Sequence, residues 1–207
     1  MKHSPLHSLL FAGLAVSSQA APLVLVDGGQ NRAVIVVAPH EPKADEAARI
    51  LQTYLQKMSG ATVPLITEGA ALPANTEVRL LVGHTAAARA LGVEVPAGFD
   101  RSIRTNSFEE EGYVLKTAGK DIVIGGNSDA PYLGTVYAAW ALLEKLGCRW
   151  YFPGTWGEIV PTQKIITVPD LDLTVRPDFA IRRIWLSGWL EYTDTNQWWQ
   201  YDDWCAR

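Results

Sequence analysis

Hydrophobic positions follow two rhythms along this chain. Val34-Ile35-Val36-Val37 is an unbroken β-branched run, the pattern of a strand buried on both faces. Pro39 and Pro42 then interrupt the chain. From about Ala44 to Ser59 the residues Ala47, Ala48, Leu51, Tyr54, Leu55 and Met58 recur at helical spacing, which predicts an amphipathic helix. Gly60 follows as a left-handed stop. Val63-Pro64-Leu65-Ile66 predicts a short strand, and its proline suits only a sheet edge. Val78 to Val82 predicts another buried strand, and a short Ala-rich helix follows Gly83-His84 and ends near Leu91-Gly92.

The stretch from Gly92 to Asn106 has loop character. Beyond it, Gly112 to Lys116 and Asp121 to Gly125 predict two strands, and the short link Thr117-Ala118-Gly119-Lys120 makes them an antiparallel hairpin. A second long helix is expected from near Pro131, with Leu133, Val136, Tyr137, Trp140, Leu143 and Leu146 as its stripe and Gly147 as its stop. Arg149 to Phe152 and Ile165 to Val168 predict the last two strands. The order is β-α-β-β-α-β-β-α-β-β, an α+β or α/β sandwich in which helices cover a mixed sheet.

Composition narrows the picture. With 48% hydrophobic and 19% charged residues in 207, the chain is of globular rather than disordered type. Its net charge of −4, with no basic block, lacks the electrostatic footprint of a nucleic-acid binder. At the N-terminus, Met1-Lys2-His3 is a short basic region, Leu9 to Val16 is apolar, and Ser18-Gln19-Ala20 ends in small residues. This predicts a signal peptide over residues 1–20, cleaved after Ala20, and export to the periplasm or the extracellular space. The apolar run is shorter than the roughly 20 residues of a membrane span, and no later segment qualifies.

Candidate chemistry is sparse. After cleavage only His40 and His84 remain, and neither has metal-ligand spacing, so no metal and no cofactor are expected. Cys148 sits in an apolar run and is expected to be buried, although a bridge to Cys205 is an alternative. Gly125-Gly126-Asn127-Ser128 joins a strand to a helix, a geometry that can bind anions. It lacks the third glycine of a dinucleotide site and the ending of a phosphate loop, so a tight structural turn is the favoured reading. Glu109-Glu110-Glu111 is expected to be a solvated loop, and His84 to be a structural cap. After Pro169 the character changes. All eight tryptophans lie at or after Trp140, and Trp185, Trp189, Trp198, Trp199 and Trp204 crowd the tail beside Glu191, Asp194, Asp202 and Asp203. Aromatic faces beside carboxylates suit either a sugar site or a surface that a further domain covers.

One ordered series is more specific. It comprises Gly112-Tyr113-Val114-Leu115, Ile122 to Gly126, Gly134-Thr135-Val136-Tyr137, Leu142-Leu143-Glu144, Leu146 to Gly154, and Trp156-Gly157-Glu158-Ile159-Val160-Pro161. It resembles the N-terminal, non-catalytic domain of family 67 α-glucuronidases, α-N-acetylglucosaminidases and family 20 β-hexosaminidases. It is most similar to an uncharacterised bacterial group that carries this domain before a barrel. The resemblance runs from about Leu23 to Trp185 and implies a mixed sheet with two main helices on one face, packed against a catalytic (β/α)8 barrel.

On this basis residues 21–175 are expected to be the accessory domain of a glycoside hydrolase, and residues 176–207 the start of a truncated barrel. Pro177-x-Phe179-x-x-Arg182 resembles the entry to the first barrel strand. The resemblance implies a sugar-binding role for Arg182, whose guanidinium fork suits neighbouring hydroxyls, with Trp185 beside it. Arg183 stands where glycine is usual in those families. A barrel takes about 250 residues, so no catalytic residue is assigned, carbohydrate is the expected partner through the barrel, and this chain alone is expected to be inactive. A stand-alone carbohydrate-binding module using exposed Trp and Tyr is the alternative.

Overall fold

The computed structural model describes residues 21–96, 111–129 and 132–177. The chain opens with β1 (Leu23–Asp27), turns through Gly28 and Gly29 at φ 56° and 80°, and returns as β2 (Gln30–Asn31). Both strands are additions to the expected order, marked in the sequence only by an aliphatic run ending in Asp-Gly-Gly. β3 (Ala33–Val37) follows and is buried along its whole length, as its β-branched run predicts. α1 (Pro42–Ser59) begins two residues before the expected start, because Pro42 occupies the first turn, where a missing N–H costs nothing. It ends on Gly60 at φ 79°.

β4 (Leu65–Thr67), β5 (Val78–Val82), the short α2 (Ala86–Ala90) and the hairpin β6 (Tyr113–Ala118) and β7 (Asp121–Gly126) come next. The hairpin link is tighter than expected. Thr117 and Ala118 remain in β6, and the turn is Gly119-Lys120 with Gly119 at φ 64°. α3 (Gly134–Lys145) begins at Gly134 rather than near Pro131. β8 (Arg149–Trp150) is shorter than expected because the chain leaves it at Tyr151, and it pairs with β9 (Glu158–Ile159). β10 (Ile166–Val168) pairs with β1, and β11 (Asp172–Val175) with β6. β11 is another addition, with alternating polar and apolar residues.

The main sheet has six strands in the order β11-β6-β7-β5-β3-β4. β4, β3, β5 and β7 run parallel, β6 is reversed against β7, and β11 is antiparallel to β6. The sheet is therefore mixed and the fold is α+β. β4 lies at an edge, as Pro64 requires, and the Pro64 carbonyl still accepts the Ile35 amide at 2.8 Å.

One face of this sheet carries both long helices. Ile35, Val37, Leu80, Val82, Leu115, Ile122 and Ile124 meet Leu51, Leu55 and Met58 of α1 and Val136, Leu142 and Leu143 of α3 in one core, which Leu25, Ile166 and Val168 of the smaller sheet extend. The other face presents Val34, Val36, Leu81, Val114 and Val123 to a lighter cover, made by Ala88 of α2 and by Val93. At the opposite end of the sheet from the site described below, Arg79 donates two hydrogen bonds, of 2.7 and 2.6 Å, to the buried Asp121 on the paired strand. This bidentate arrangement suits a partly buried carboxylate. Cys148 is fully buried and a free thiol. Burial, with Glu158 adding to it, pushes that thiol up to about 11, so it stays protonated at neutral pH.

Candidate functional site

Parallel β3, β5 and β7 deliver three loops to one edge of the sheet, the edge where open α/β sheets place their ligands. The Ala38 amide reaches the Val82 carbonyl and the Gly83 amide the Ile124 carbonyl, each at 2.9 Å. The ladder thus continues past the strand ends and fixes the loops against one another. Glu41 comes from the first loop, Gly83-His84-Thr85 from the second, and Asn127-Ser128-Asp129 from the third.

Glu41 and His84 meet there, 43 residues apart in sequence. The Glu41 carboxylate lies 3.1 Å from His84 Nδ1 and also accepts the His84 backbone amide at 3.1 Å. His84 Nε2 lies 2.8 Å from the Pro96 carbonyl oxygen. Two glycines make room. A Cβ on Gly83 would stand 2.7 Å from the Glu41 Oε2 atom, and one on Gly125 would stand 2.6 Å from Val95 Cγ1.

The charges reinforce the contact. Burial alone would raise the Glu41 carboxyl, but the His84 hydrogen bonds, the His84 charge and the Ser128 hydroxyl outweigh it and hold the carboxyl below its ordinary 4.5. The Glu41 hydrogen bond raises the His84 ring above its ordinary 6.5. Burial opposes that rise, while the Glu41 charge, the Pro96 carbonyl and Asp129 add to it.

A cavity of about 500 Å3 adjoins this pair, lined by His84, Thr85, Arg89, Val93, Glu94 and Val95. Its chemistry is limited, because both ring nitrogens of His84 are already engaged and the Ser128 hydroxyl bonds to Thr135 Oγ1 at 2.7 Å rather than to the imidazole. A serine–histidine–acid relay needs the hydroxyl on the ring. The start of α2 is also occupied from within the chain. Glu68 accepts the Ala86 and Ala87 amides at 2.8 and 2.9 Å, and the Thr85 hydroxyl accepts the Ala88 amide at 3.1 Å. The structure therefore places His84 as a bridge between Glu41 and Pro96 rather than as the expected cap, a role that Thr85 fills for α2. Glu41 was not singled out by the sequence. Its one signal is a carboxylate directly before a helix-starting proline.

The Gly125-to-Ser128 turn is likewise engaged internally. The Gly126 amide donates to Thr135 Oγ1 at 3.0 Å, and the Asp129 amide donates to Asn127 Oδ1 at 2.9 Å. It is a tight structural turn. Among the described residues no cluster of three or more His, Cys, Asp or Glu side chains could hold a metal ion, and no helix is long and apolar enough to cross a membrane.

A second feature lies between β8 and β9. The chain from Tyr151 to Gly157 forms a closed loop, tied by the Tyr151 amide on the Gly157 carbonyl at 2.9 Å. Gly157 sits so close to the Phe152 backbone that a Cβ there would stand 2.2 Å from its nitrogen and oxygen. The loop turns its large side chains outward: Tyr151 is 58% exposed, Phe152 66% and Trp156 96%, and Ile159 and Ile165 are exposed as well.

Beneath the loop, Trp150 meets Trp140 and Tyr54 edge to face at 4.7 and 5.3 Å. The Tyr54 hydroxyl accepts the Trp150 indole N–H at 3.0 Å and donates to Glu158, which Lys57 also pairs at 3.0 Å. Tyr54→Phe removes the hydroxyl that joins these groups. We expect it to cost about 1–2 kcal/mol in urea unfolding, with the β8–β9 pair loosened before the main sheet.

Arg182 and Trp185 lie outside the described residues, as do the expected signal peptide over residues 1–20, Glu109 and Glu110, Cys205, and the acids and tryptophans of the tail. No protein-family model matches the sequence, and no curated protein matches it.

Proposed function

We propose that this chain carries the accessory domain of an exported glycoside hydrolase, and that the domain braces a (β/α)8 barrel holding the catalytic carboxylates. The observation that carries the reading is the tethered aromatic loop. Tyr151, Phe152 and Trp156 face solvent on a loop that their own backbone and the Tyr54–Trp140–Trp150 cluster hold in shape. Large aromatic side chains exposed together on a fixed frame mark an interaction surface rather than scattered surface apolarity. Proteins enrich such surfaces in aromatic residues because each buries a large area at little entropic cost. The two-helix face of the mixed sheet is the arrangement that the sequence resemblance implies for such a domain, and it adds support. In this reading Arg182 and Trp185 belong to the first barrel strand and face the sugar.

The reading frame beyond Arg207 tests this directly. A barrel sequence with paired inward-pointing acids is expected there, and an unrelated domain or an immediate stop would sink the reading. In the barrel-bearing protein, Trp156→Ala is expected to leave the accessory domain within about 0.5 kcal/mol of wild type, as for an exposed site. The same variant should lower the thermal midpoint of the barrel by several degrees in calorimetry.

The exposed Tyr151 and Trp156 rings also favour a second reading, a module that grips polysaccharide by stacking. Titration calorimetry of the 207-residue chain against soluble glycans separates the two. A brace gives no heat, whereas a binding module gives heat that Trp156→Ala abolishes.

A further inference from the structure

His84 stands between two hydrogen-bond acceptors that belong to different parts of the chain. One is the Glu41 carboxylate, at the entry to α1, and the other is the Pro96 carbonyl, at the end of the segment that covers the second face of the sheet. Neither partner has a proton to offer. A neutral imidazole carries a single N–H and can serve only one of them, whereas an imidazolium serves both. Only the doubly protonated ring can therefore make hydrogen bonds of both the 3.1 and the 2.8 Å contacts.

We propose that His84 is a pH-operated clamp: as an imidazolium it ties Glu41 to Pro96, and on losing a proton it keeps Glu41 and releases Pro96. This goes beyond the bracing role and does not depend on it. Glu41 is retained because it also accepts the His84 backbone amide, so carboxylate and ring are held together independently of the second nitrogen. Among the described residues the Pro96 bond has no such backing. What is released is the stretch Val93 to Pro96, whose Val93 and Val95 pack on the lighter core and against Gly125.

The other charged groups facing the ring act on the same equilibrium. Asp129, from the loop after β7, favours the cation. Arg89 of α2 and Glu94 line the adjoining cavity with opposite charges, and Ser128 reaches the site through Glu41. The His84 ring is raised in the folded state, so its contribution is complete below 6.5 and is lost as pH rises through the folded value. The Glu41 carboxyl is lowered, so its contribution is present above 4.5 and is lost as pH falls through its folded value. The clamp is tightest between those limits and opens on the alkaline side.

Nuclear magnetic resonance on the 207-residue chain tests this. Ring nitrogen shifts should show His84 titrating above 6.5, with the proton remaining on Nδ1 in the neutral form. Hydrogen-exchange protection of the Val93 amide, which donates to the Ala88 carbonyl at 3.1 Å, should fall about fivefold through the same midpoint, the loss of one net hydrogen bond. Glu41→Gln removes the negative partner and should move both transitions to lower pH together. A midpoint at or below 6.5, a neutral ring protonated on Nε2, or Val93 protection flat across the titration would each overturn the clamp. The wild-type measurements decide it even if the Glu41 variant does not fold.

Discussion

Gly126→Ala is expected to destabilise the domain by about 3 kcal/mol or more, at the upper end of what overpacking costs. The reason is position rather than backbone angle, since Gly126 is absent from the glycines at positive φ. A Cβ there would lie 2.5 Å from the Gly112 carbonyl oxygen and 2.6 and 2.9 Å from the carbonyl carbon and Cα of Gly134. All three are backbone atoms of neighbouring elements, so no rotamer change relieves the clash.

Retreat is blocked as well. The Gly126 amide donates to Thr135 Oγ1 at 3.0 Å, and the same hydroxyl donates to the Gly126 carbonyl at 2.8 Å. Thr135 itself is fully buried, so a shift that makes room strands these groups without water. Urea unfolding should show a lower midpoint with an unchanged slope. Gly119→Ala is the comparison, because Gly119 is at positive φ with open space around it. It should cost only about 1 kcal/mol of backbone strain. If the two variants proved equally mild, close approach of β7 to α3 would not be what holds this turn.

Leu51→Ala should cost about 3–4 kcal/mol, within the range of about 2.7–5 measured for buried leucines. Leu51 is fully buried in the main core, on the helix face that also carries Ala44, Ala47, Ala48, Leu55 and Met58. Its loss removes apolar contact and leaves a space. The size of the effect depends on how far the walls can collapse, and here they are stiff. The strands beneath are locked in a parallel ladder from β4 to β7. α1 is fastened at both ends, by the Glu41–His84 contact at its start and by the Gln163 amide on the Met58 carbonyl, 2.8 Å apart, near its finish. The thermal midpoint should fall by roughly 6–16 °C for a domain of this size. A drop of only a degree or two would mean that the two helices can close over the gap.

Much of the architecture was legible in the residue order, because local preference and burial agreed there. The β-branched run at Val34 to Val37 could be buried on both faces only as an inner strand, and it lies between β5 and β4. The apolar stripe from Ala47 to Met58, with proline before it and glycine after it, had one outcome as a helix. Pro64 had to stand at an edge. The short strands were harder to read. β2, β8 and β9 have two residues each, too few for a period to register, and Tyr151 and Phe152 look like strand by composition while the Gly157 contact turns them outward.

What the sequence determined by itself, then, was a set of elements and their covered faces, since hydrophobic period and helix ends are local properties of neighbouring residues. Tertiary structure alone decided which distant residues share a site. Glu41 and His84 are joined because parallel pairing aligns the ends of β3 and β5 and glycine at 83 leaves space for a carboxylate. That alignment is a matter of register between strands, and no stretch of neighbouring residues records it.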